Sequence, residues 1–375
     1  MTSPRITSAP GKLVLIGEYA VLFGGPAVVL AVDRRATVSI DASNDGRWSV
    51  RSPGLIAGTR QFELLPDGSQ SWIGSADDDI RQLSLVTCVL DSLMRSGVLN
   101  PLEMCAAALE LDTRPFFANT NAGAFKLGLG SSAALTAALA TALVHWTGKA
   151  DVLTDRLSWL RTLTTIHREF QGGGGSGIDL AASLFGGVLE YRLDEKGLAA
   201  VARPISLPQD LELLYVWTGR SADTGQFLER LTERRGADPG AIGPALDDLS
   251  EISRSGIDAL RSQRTDALLD AVDSFCEGLE ALGRATEIPI MSSEHQQLLA
   301  LAHSSGVSYK PSGAGGGDLG LAFSNDPGAM ARMVVAVHQA GFGTINLSVD
   351  LRGTDTPGWD VEDSQAKGVY DSRID

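Results

Sequence analysis

Between residues 131 and 144 the chain has almost no polar face. Ala133, Leu135, Ala137, Ala138, Leu139, Ala140, Ala142, Leu143 and Val144 surround the helical wheel, which predicts a helix buried on nearly all sides. Short apolar runs at 12–16, 27–32 and 37–40 read as strands of one sheet, with Gly24-Gly25-Pro26 turning the chain between the first two. Residues 48–71 are turn-rich and read as hairpins. Asp77, Asp78 and Asp79 precede a helix running to about residue 96; acidic residues at a helix start suit its dipole, which accounts for them without a metal. A strand at 104–111, a loop-like segment at 116–125, the apolar helix, a helix at 153–170, a short apolar helix at 178–185 and a strand at 188–191 follow. Polar residues and two prolines then interrupt the pattern at 194–208. Beyond them come a strand at 211–217, helices to about residue 304, a strand at 319–323, a helix at 328–340 and a strand at 344–349. This order predicts an α+β chain of two domains, residues 1–200 and 201–351, followed by a polar, acidic tail, 352–375, expected to be poorly ordered.

Three glycine-rich segments punctuate these elements. The central one, Lys126-Leu-Gly-Leu-Gly-Ser-Ser, opens directly into the apolar helix. Gly128 and Gly130 let the backbone turn tightly beside an anion, Ser131 and Ser132 bring hydroxyls to the helix start, and the first-turn N–H groups lack intrahelical partners. With the positive end of the helix dipole they form an anion site, so Lys126, Gly128, Leu129, Gly130, Ser131, Ser132 and Ala133 are the expected phosphate-binding residues. As plain N-caps, Ser131 and Ser132 would do no more than start the helix. The segment is not a P-loop, because no lysine follows Gly130. It meets the dinucleotide pattern formally at Gly128, Gly130 and Ala133, but without the preceding strand that pattern requires. The second segment, Gln171-Gly-Gly-Gly-Gly-Ser-Gly-Ile-Asp, sets Asp179 between a glycine loop and an apolar helix. Four glycines also suit a linker; packed structure on both sides favours an active-site loop. The third segment, Lys310-Pro-Ser-Gly-Ala-Gly-Gly-Gly-Asp, leads into the strand at 319–323.

Composition narrows the function classes. With 43% hydrophobic and 21% charged residues the chain reads as an ordinary globular protein. Lys and Arg number 31 against 46 Asp and Glu, a net charge of −15, which weighs against nucleic acid and anionic membrane surfaces as partners. A phosphorylated ligand therefore needs locally clustered cations. Cys88, Cys105 and Cys276 are odd in number, widely spaced and set among apolar neighbours, as reduced core residues are, and no cysteine cluster suggests structural zinc. No apolar run reaches membrane-spanning length, and a cytoplasmic location is expected.

The first stretch, Ala9-Pro-Gly-Lys-Leu-Val-Leu-Ile-Gly-Glu-Tyr-Ala-Val-Leu, with the central Gly-Leu-Gly-Ser-Ser-Ala-Ala and the late Ser-Gly-Ala-Gly-Gly-Gly-Asp, resembles the three motifs of the GHMP small-molecule kinases, in order, over about residues 6–350. Within that superfamily the chain looks most like bacterial phosphomevalonate kinases. The likeness is carried by Glu18-Tyr19, by Lys126, by the run from His167 to Gln171 leading into Gly-Gly-Ser-Gly-Ile-Asp, by Trp217-Thr218-Gly219 with Ser221 and Thr224, and by Lys310 before Ser312-Gly313. Mevalonate kinases usually carry Pro-Ser-Gly-x-Asp at the second segment and a magnesium-binding glutamate eleven residues before its aspartate; Arg168 stands there in this chain, with Glu169 one residue on.

The resemblance implies an N-terminal domain with a ribosomal-protein-like mixed sheet and helices, a ferredoxin-like C-terminal domain, and ATP and magnesium between them. It implies that the central loop embraces the ATP phosphates, with Ser132 as magnesium ligand. It assigns Lys12 to the transferring group or the acceptor oxygen, and Asp179 to pairing with Lys12 or taking the proton. Tyr19, Ser176, Gly177, Lys310, Ser312 and Gly313 are the implied acceptor-binding residues, with Lys126 and Arg220 as further cations. The implied reaction converts 5-phosphomevalonate to 5-diphosphomevalonate. A mevalonate or other small-alcohol kinase, and a catalytically silent ligand-binding protein on the same fold, are the alternatives.

Overall fold

In the computed structural model the chain runs β1 (Arg5–Ile16), β2 (Ala27–Ala42), β3 (Trp48–Arg51), β4 (Thr59–Leu64), β5 (Gln70–Ile73), α1 (Asp77–Gln82), α2 (Ser84–Arg95), β6 (Ala107–Asp112), β7 (Phe117–Thr120), β8 (Gly123–Lys126), α3 (Ser131–Trp146), α4 (Arg156–Phe170), α5 (Ile178–Phe185), β9 (Val188–Leu193), β10 (Ala199–Pro204), β11 (Glu212–Trp217), α6 (Thr224–Ala237), α7 (Pro239–Arg261), α8 (Thr265–Thr286), α9 (Ser293–Ser305), β12 (Ser308–Pro311), β13 (Leu319–Ser324), α10 (Pro327–Gln339) and β14 (Gly343–Ile345). The structure describes residues 5–120, 123–221 and 224–357, without the side chains of residues 119, 120, 123, 124 and 224. Among the described residues no helix is long and apolar enough to cross a membrane.

Strands β1 to β6, β9 and β10 form an eight-stranded mixed sheet, antiparallel except where β3 meets β6. Helices α3 and α5 lie on β1 and β2. The lack of a polar face on α3 has the consequence its sequence predicts: every residue from Ser131 to Val144 except Ser132 is buried. That leaves the Ser132 hydroxyl as the polar group this helix turns outward at its N-terminus.

A second sheet, in the order β12-β13-β11-β14, is wholly antiparallel. Together with its helices it has the βαββαβ connectivity of a ferredoxin-like unit. Helices α9 and α10 close one face over Val216, Leu298, Ala302, Tyr309, Ala322 and Met333.

Four local expectations are corrected. Residues 116–125 are not loop but a two-stranded hairpin, β7 with β8; aromatic residues at both of its ends, Phe117 and Phe125, favour extended backbone. The helix expected over 77–96 breaks at Leu83. The polar interruption contains a strand, β10, at a sheet edge where a polar outer face is tolerated. The last strand ends at Ile345, and the chain then returns to the first sheet. The Asp33 N–H donates to Ser348 O, the Asp350 N–H to Ala31 O and the Asp355 N–H to Ser8 O, at 3.0, 3.0 and 2.8 Å. Arg35 fastens this strap through Asp350 Oδ2 at 2.5 Å and Gly353 O at 2.6 Å. The polar tail is thus held as far as Asp355 by charge-assisted bonds that composition does not reveal; residues 358–375 lie outside the described residues.

The two sheets are tied where the third glycine segment meets β1. Lys310, with no exposed surface, forms an ion pair with Glu18. The Gly313 N–H also points to Glu18, at 3.4 Å, the Ser312 hydroxyl donates to Val14 O at 3.2 Å, and the Tyr19 hydroxyl donates to Ala314 O at 2.5 Å. Behind the loop, His295 stands 3.0 Å from Gly317 O through Nε2 and 2.7 Å from the Tyr309 hydroxyl through Nδ1. A carbonyl accepts only, so Nε2 carries the proton and Nδ1 accepts from Tyr309.

Two outcomes follow from these buried groups. Lys310→Met leaves the Glu18 carboxylate buried without its partner and should destabilise the fold by roughly 3–5 kcal/mol in chemical denaturation, with part of the loss recovered in the Glu18→Gln/Lys310→Met double variant. Burial pulls His295 down to about 4 from an ordinary 6.5. The unfolded chain therefore binds a proton that the folded chain refuses: the stability this group contributes is full above about pH 6.5 and declines as pH falls toward 4, by about 3 kcal/mol in all. The stability advantage of the unmodified chain over His295→Gln should shrink across that window, and a constant difference would contradict the assignment.

Candidate active site

The site is assembled on the buried platform of α3. Its first-turn N–H groups point out of the helix start beside Gly130, and the backbone there is left-handed at both loop glycines, with φ of 73° at Gly128 and 74° at Gly130. Neither position takes a side chain without strain or a shift of its neighbours. A Cβ on Gly128 would lie 2.5 Å from Asp318 Cγ of the third segment, and one on Gly130 would lie 3.1 Å from the Lys12 chain. All three glycine segments therefore converge, as the sequence motifs expected, with Lys12 and Asp318 lying against the central loop.

Lys12 reaches this point because β1 and β2 slip in register: Pro10 lies opposite Arg35, but Gly11 lies opposite Val32. A bulge of this kind re-aims the following side chain. The Lys12 N–H donates to Leu129 O at 2.9 Å, binding the strand to the central loop. Its ammonium stands 3.6 Å from Asp179 Oδ1. Asp179 sits in the first turn of α5, where the helix dipole favours a carboxylate. A Cβ on Gly313 would lie 3.8 Å from Lys12 Nζ.

The remaining expected residues divide into two groups. Lys126 is exposed, its backbone carbonyl 3.4 Å from the Ser221 hydroxyl, and no ion pair engages its ammonium among the described residues. Tyr19, Lys310 and Ser312 lie in the seam between the sheets, their polar atoms bonded to Ala314 O, Glu18 and Val14 O respectively. Lys310 is thus a neutralised, buried cation rather than an open lysine on the cleft wall; its residence in strand β12 buries it. Ser176 and Gly177 form the entry to α5: the Ser176 hydroxyl accepts from the Ile178 N–H at 3.3 Å and its carbonyl from the Tyr191 hydroxyl at 2.6 Å. Arg220 is paired with Glu294 at 3.4 Å.

One site residue carried no role in the sequence reading. His167, buried near the end of α4, places Nε2 3.1 Å from the Ser132 hydroxyl. Burial lowers its pKa, the Asp179 charge opposes that shift and the Lys126 charge adds to it. The ring is therefore a neutral partner to the serine at neutral pH. The run from His167 to Gln171 was visible, but only folding shows which of its members faces the cradle. Its neighbours turn elsewhere: Arg168 ties Gly175 O, at 2.8 Å, to Gly197 O, at 2.7 Å, and Glu169 turns to Arg95, at 2.5 Å, and to Ser92 on α2.

Magnesium can be tested against these donors. Ser132 and Asp179 offer hard oxygens beside the cradle, whereas Glu169 is bonded away from it; among the described residues no group of three or more His, Cys, Asp or Glu could hold a metal. Such a set fits an ion that takes one or two protein oxygens and completes its shell with phosphate and water, and does not fit an all-protein cage.

Comparison with known proteins bears on the fold and the family. The N-terminal domain of the GHMP kinases is matched over residues 119–187. The phosphomevalonate kinase of Streptomyces sp. (strain CL190) is 28% identical over 343 residues, covering 84% of this chain and 89% of the relative. The mevalonate kinase of Methanothermobacter thermautotrophicus is also 28% identical, over 337 residues, covering 88% and 93%. Among solved structures, a Listeria innocua protein superposes with a TM-score of 0.80 at 22% identity, covering 95% of this chain and all of that one. Streptococcus pneumoniae phosphomevalonate kinase in complex with phosphomevalonate and AMPPNP superposes with a TM-score of 0.71 at 19% identity, covering 92% and 99%. With its three glycine segments gathered at one helix start, its fold shared with these structures and its sequence aligned with these relatives over most of their length, the chain carries the N-terminal domain of the GHMP kinases at residues 119–187 and is a phosphotransferase.

Proposed function

We propose that the chain transfers the γ-phosphoryl group of ATP to 5-phosphomevalonate, giving ADP and 5-diphosphomevalonate, a step of the mevalonate route to isoprenoids. The observation that carries the chemistry is the Lys12–Asp179 pair, 3.6 Å apart, beside Gly130 at the mouth of α3. Phosphoryl transfer asks mainly for positioning and charge neutralisation, which a helix N-terminus and one directed ammonium provide. The central loop from Lys126 to Ala133 holds the nucleotide phosphates through backbone N–H groups, and Ser132 would hold magnesium, which when bound screens the phosphate charge. The acceptor hydroxyl attacks the γ-phosphorus as the bond to the ADP oxygen breaks. Its proton passes to the Asp179 carboxylate, and Lys12 meets the negative charge that builds on the transferring group.

The acceptor assignment is supported by the relatives named phosphomevalonate kinase and by the exposed ammonium of Lys126, which no ion pair engages among the described residues and which can meet a second phosphate. One observation favours a mevalonate kinase instead. Lys310, the other lysine expected to meet that phosphate, is neutralised by Glu18, and an acceptor without a phosphate needs fewer free cations.

Incubation with ATP, magnesium and a panel of acceptors separates these readings. Turnover of phosphomevalonate well above that of mevalonate is expected; preference for mevalonate would establish the second reading, and absence of acceptor-dependent ADP would leave a silent binding protein. Lys12→Met and Asp179→Asn should each lower turnover by about 100-fold or more while calorimetric affinity for an ATP analogue stays nearly constant, because both residues act on the transition state. A matching loss of nucleotide affinity would overturn that division of roles.

A further inference from the structure

The Lys12–Asp179 pair brings together side chains from two elements, a bulged strand and a short helix, and something must hold those elements in step. Ser183 lies on α5 four residues after Asp179, one helical turn along the same face. It is fully buried, and its hydroxyl donates to Pro10 O at 2.8 Å, two residues before Lys12. Pro10 is the last residue of β1 before the register slips, so this carbonyl lies at the point where the strand leaves its regular ladder and turns Lys12 inward.

The far end of α5 is fastened as well. The Ser183 carbonyl accepts from the Thr354 hydroxyl at 3.0 Å, and the Leu184 carbonyl accepts from the Thr354 N–H at 3.0 Å and from Arg156 at 2.6 Å. The returning strap therefore blocks α5 from sliding along its axis, while Ser183 sets its height against β1. On the other side, the Lys12 N–H is held by Leu129 O at 2.9 Å. Lys12 is thus clamped between α5 and the central loop, and among the described residues the side-chain hydrogen bond from α5 to the backbone of the bulge is that of Ser183.

Resting on the proposed role of Lys12 and Asp179, we infer that Ser183 is a positioning residue for phosphoryl transfer: its bond to Pro10 sets the separation of the Lys12 ammonium from the Asp179 carboxylate, with Thr354 and the C-terminal strap holding the helix that carries both Ser183 and Asp179. Ser183 touches no reacting atom and acts through that pair. Removing its hydroxyl leaves a buried carbonyl unpaired and lets the helix and the bulge drift apart, and a displacement of a fraction of an ångström in a transfer site lowers turnover steeply.

The test compares Ser183→Ala, the size-matched Ser183→Cys, Asp179→Asn and the Ser183→Ala/Asp179→Asn double variant in the full chain, with thermal melts confirming that each is folded. Ser183→Ala should lower kcat about tenfold or more with the affinity for an ATP analogue unchanged, Ser183→Cys should fall between it and the unmodified chain, and the serine substitution should have no further effect once Asp179 is Asn. Equal fractional losses in both backgrounds would show a merely structural serine and overturn the inference. A readout independent of turnover separates this outcome from failure of the functional reading: the rate at which an amine-reactive probe labels Lys12, followed by peptide mass spectrometry. Loosening the pair should raise that rate several-fold in Ser183→Ala, whether or not any tested acceptor is phosphorylated, and an unchanged rate would refute the positioning role.

Discussion

A lysine with no exposed surface stays charged only if a carboxylate is folded against it, and Lys310 has Glu18. The two residues are separated by 292 positions, so their pairing requires the third glycine segment to lie on the first. Burial pushes the Glu18 carboxyl upward and the Lys310 charge opposes it, which means that either group alone would be strongly unfavourable at this depth. Around this pair the Ser312 and Tyr19 hydroxyls add neutral bonds across the same seam. The seam is what brings Gly313 to Lys12 and Asp318 to Gly128, and the site exists only where those contacts are made.

On that frame the chemistry rests on an economy of cations. The chain carries a net charge of −15, and two of the lysines nearest the cradle are already matched, Lys310 by Glu18 and Lys12 by Asp179. In the proposed reaction anion binding falls to neutral devices: the N–H groups at the start of α3, the tight glycine turns before it, and a serine hydroxyl steadied by an uncharged histidine. In the proposed reaction Lys126, exposed beside the central loop, supplies a further positive charge. The apolar character of α3 belongs to the same design, since a helix buried along nearly all of its length resists tilting when an anion arrives at its end.

Much of this was legible in the residues. The position and burial of α3 follow from nine apolar residues distributed around one helix, and α5 from its uninterrupted apolar run; the convergence of three glycine segments follows from motifs whose shared chemistry is phosphate binding. Two features were not legible, for distinct reasons. The four-residue strand containing Lys310 was hidden inside a glycine-rich segment, so a buried, paired lysine read as a cation of the acceptor site. The hairpin before the central loop is made of alternating residues too few to show a period.

By itself, then, the amino-acid order determined the elements with strong periodicity and the backbone freedom of the glycine turns, because both are properties of neighbouring residues. Only the tertiary structure decided which charges are used in pairs. Glu18 with Lys310, Lys12 with Asp179, Glu169 with Arg95 and Asp350 with Arg35 each join residues from separate elements. Whether a charged side chain is free to meet a ligand depends on which opposite charge lies within a few ångströms and on how much water is excluded there, and neither is a local property of the chain.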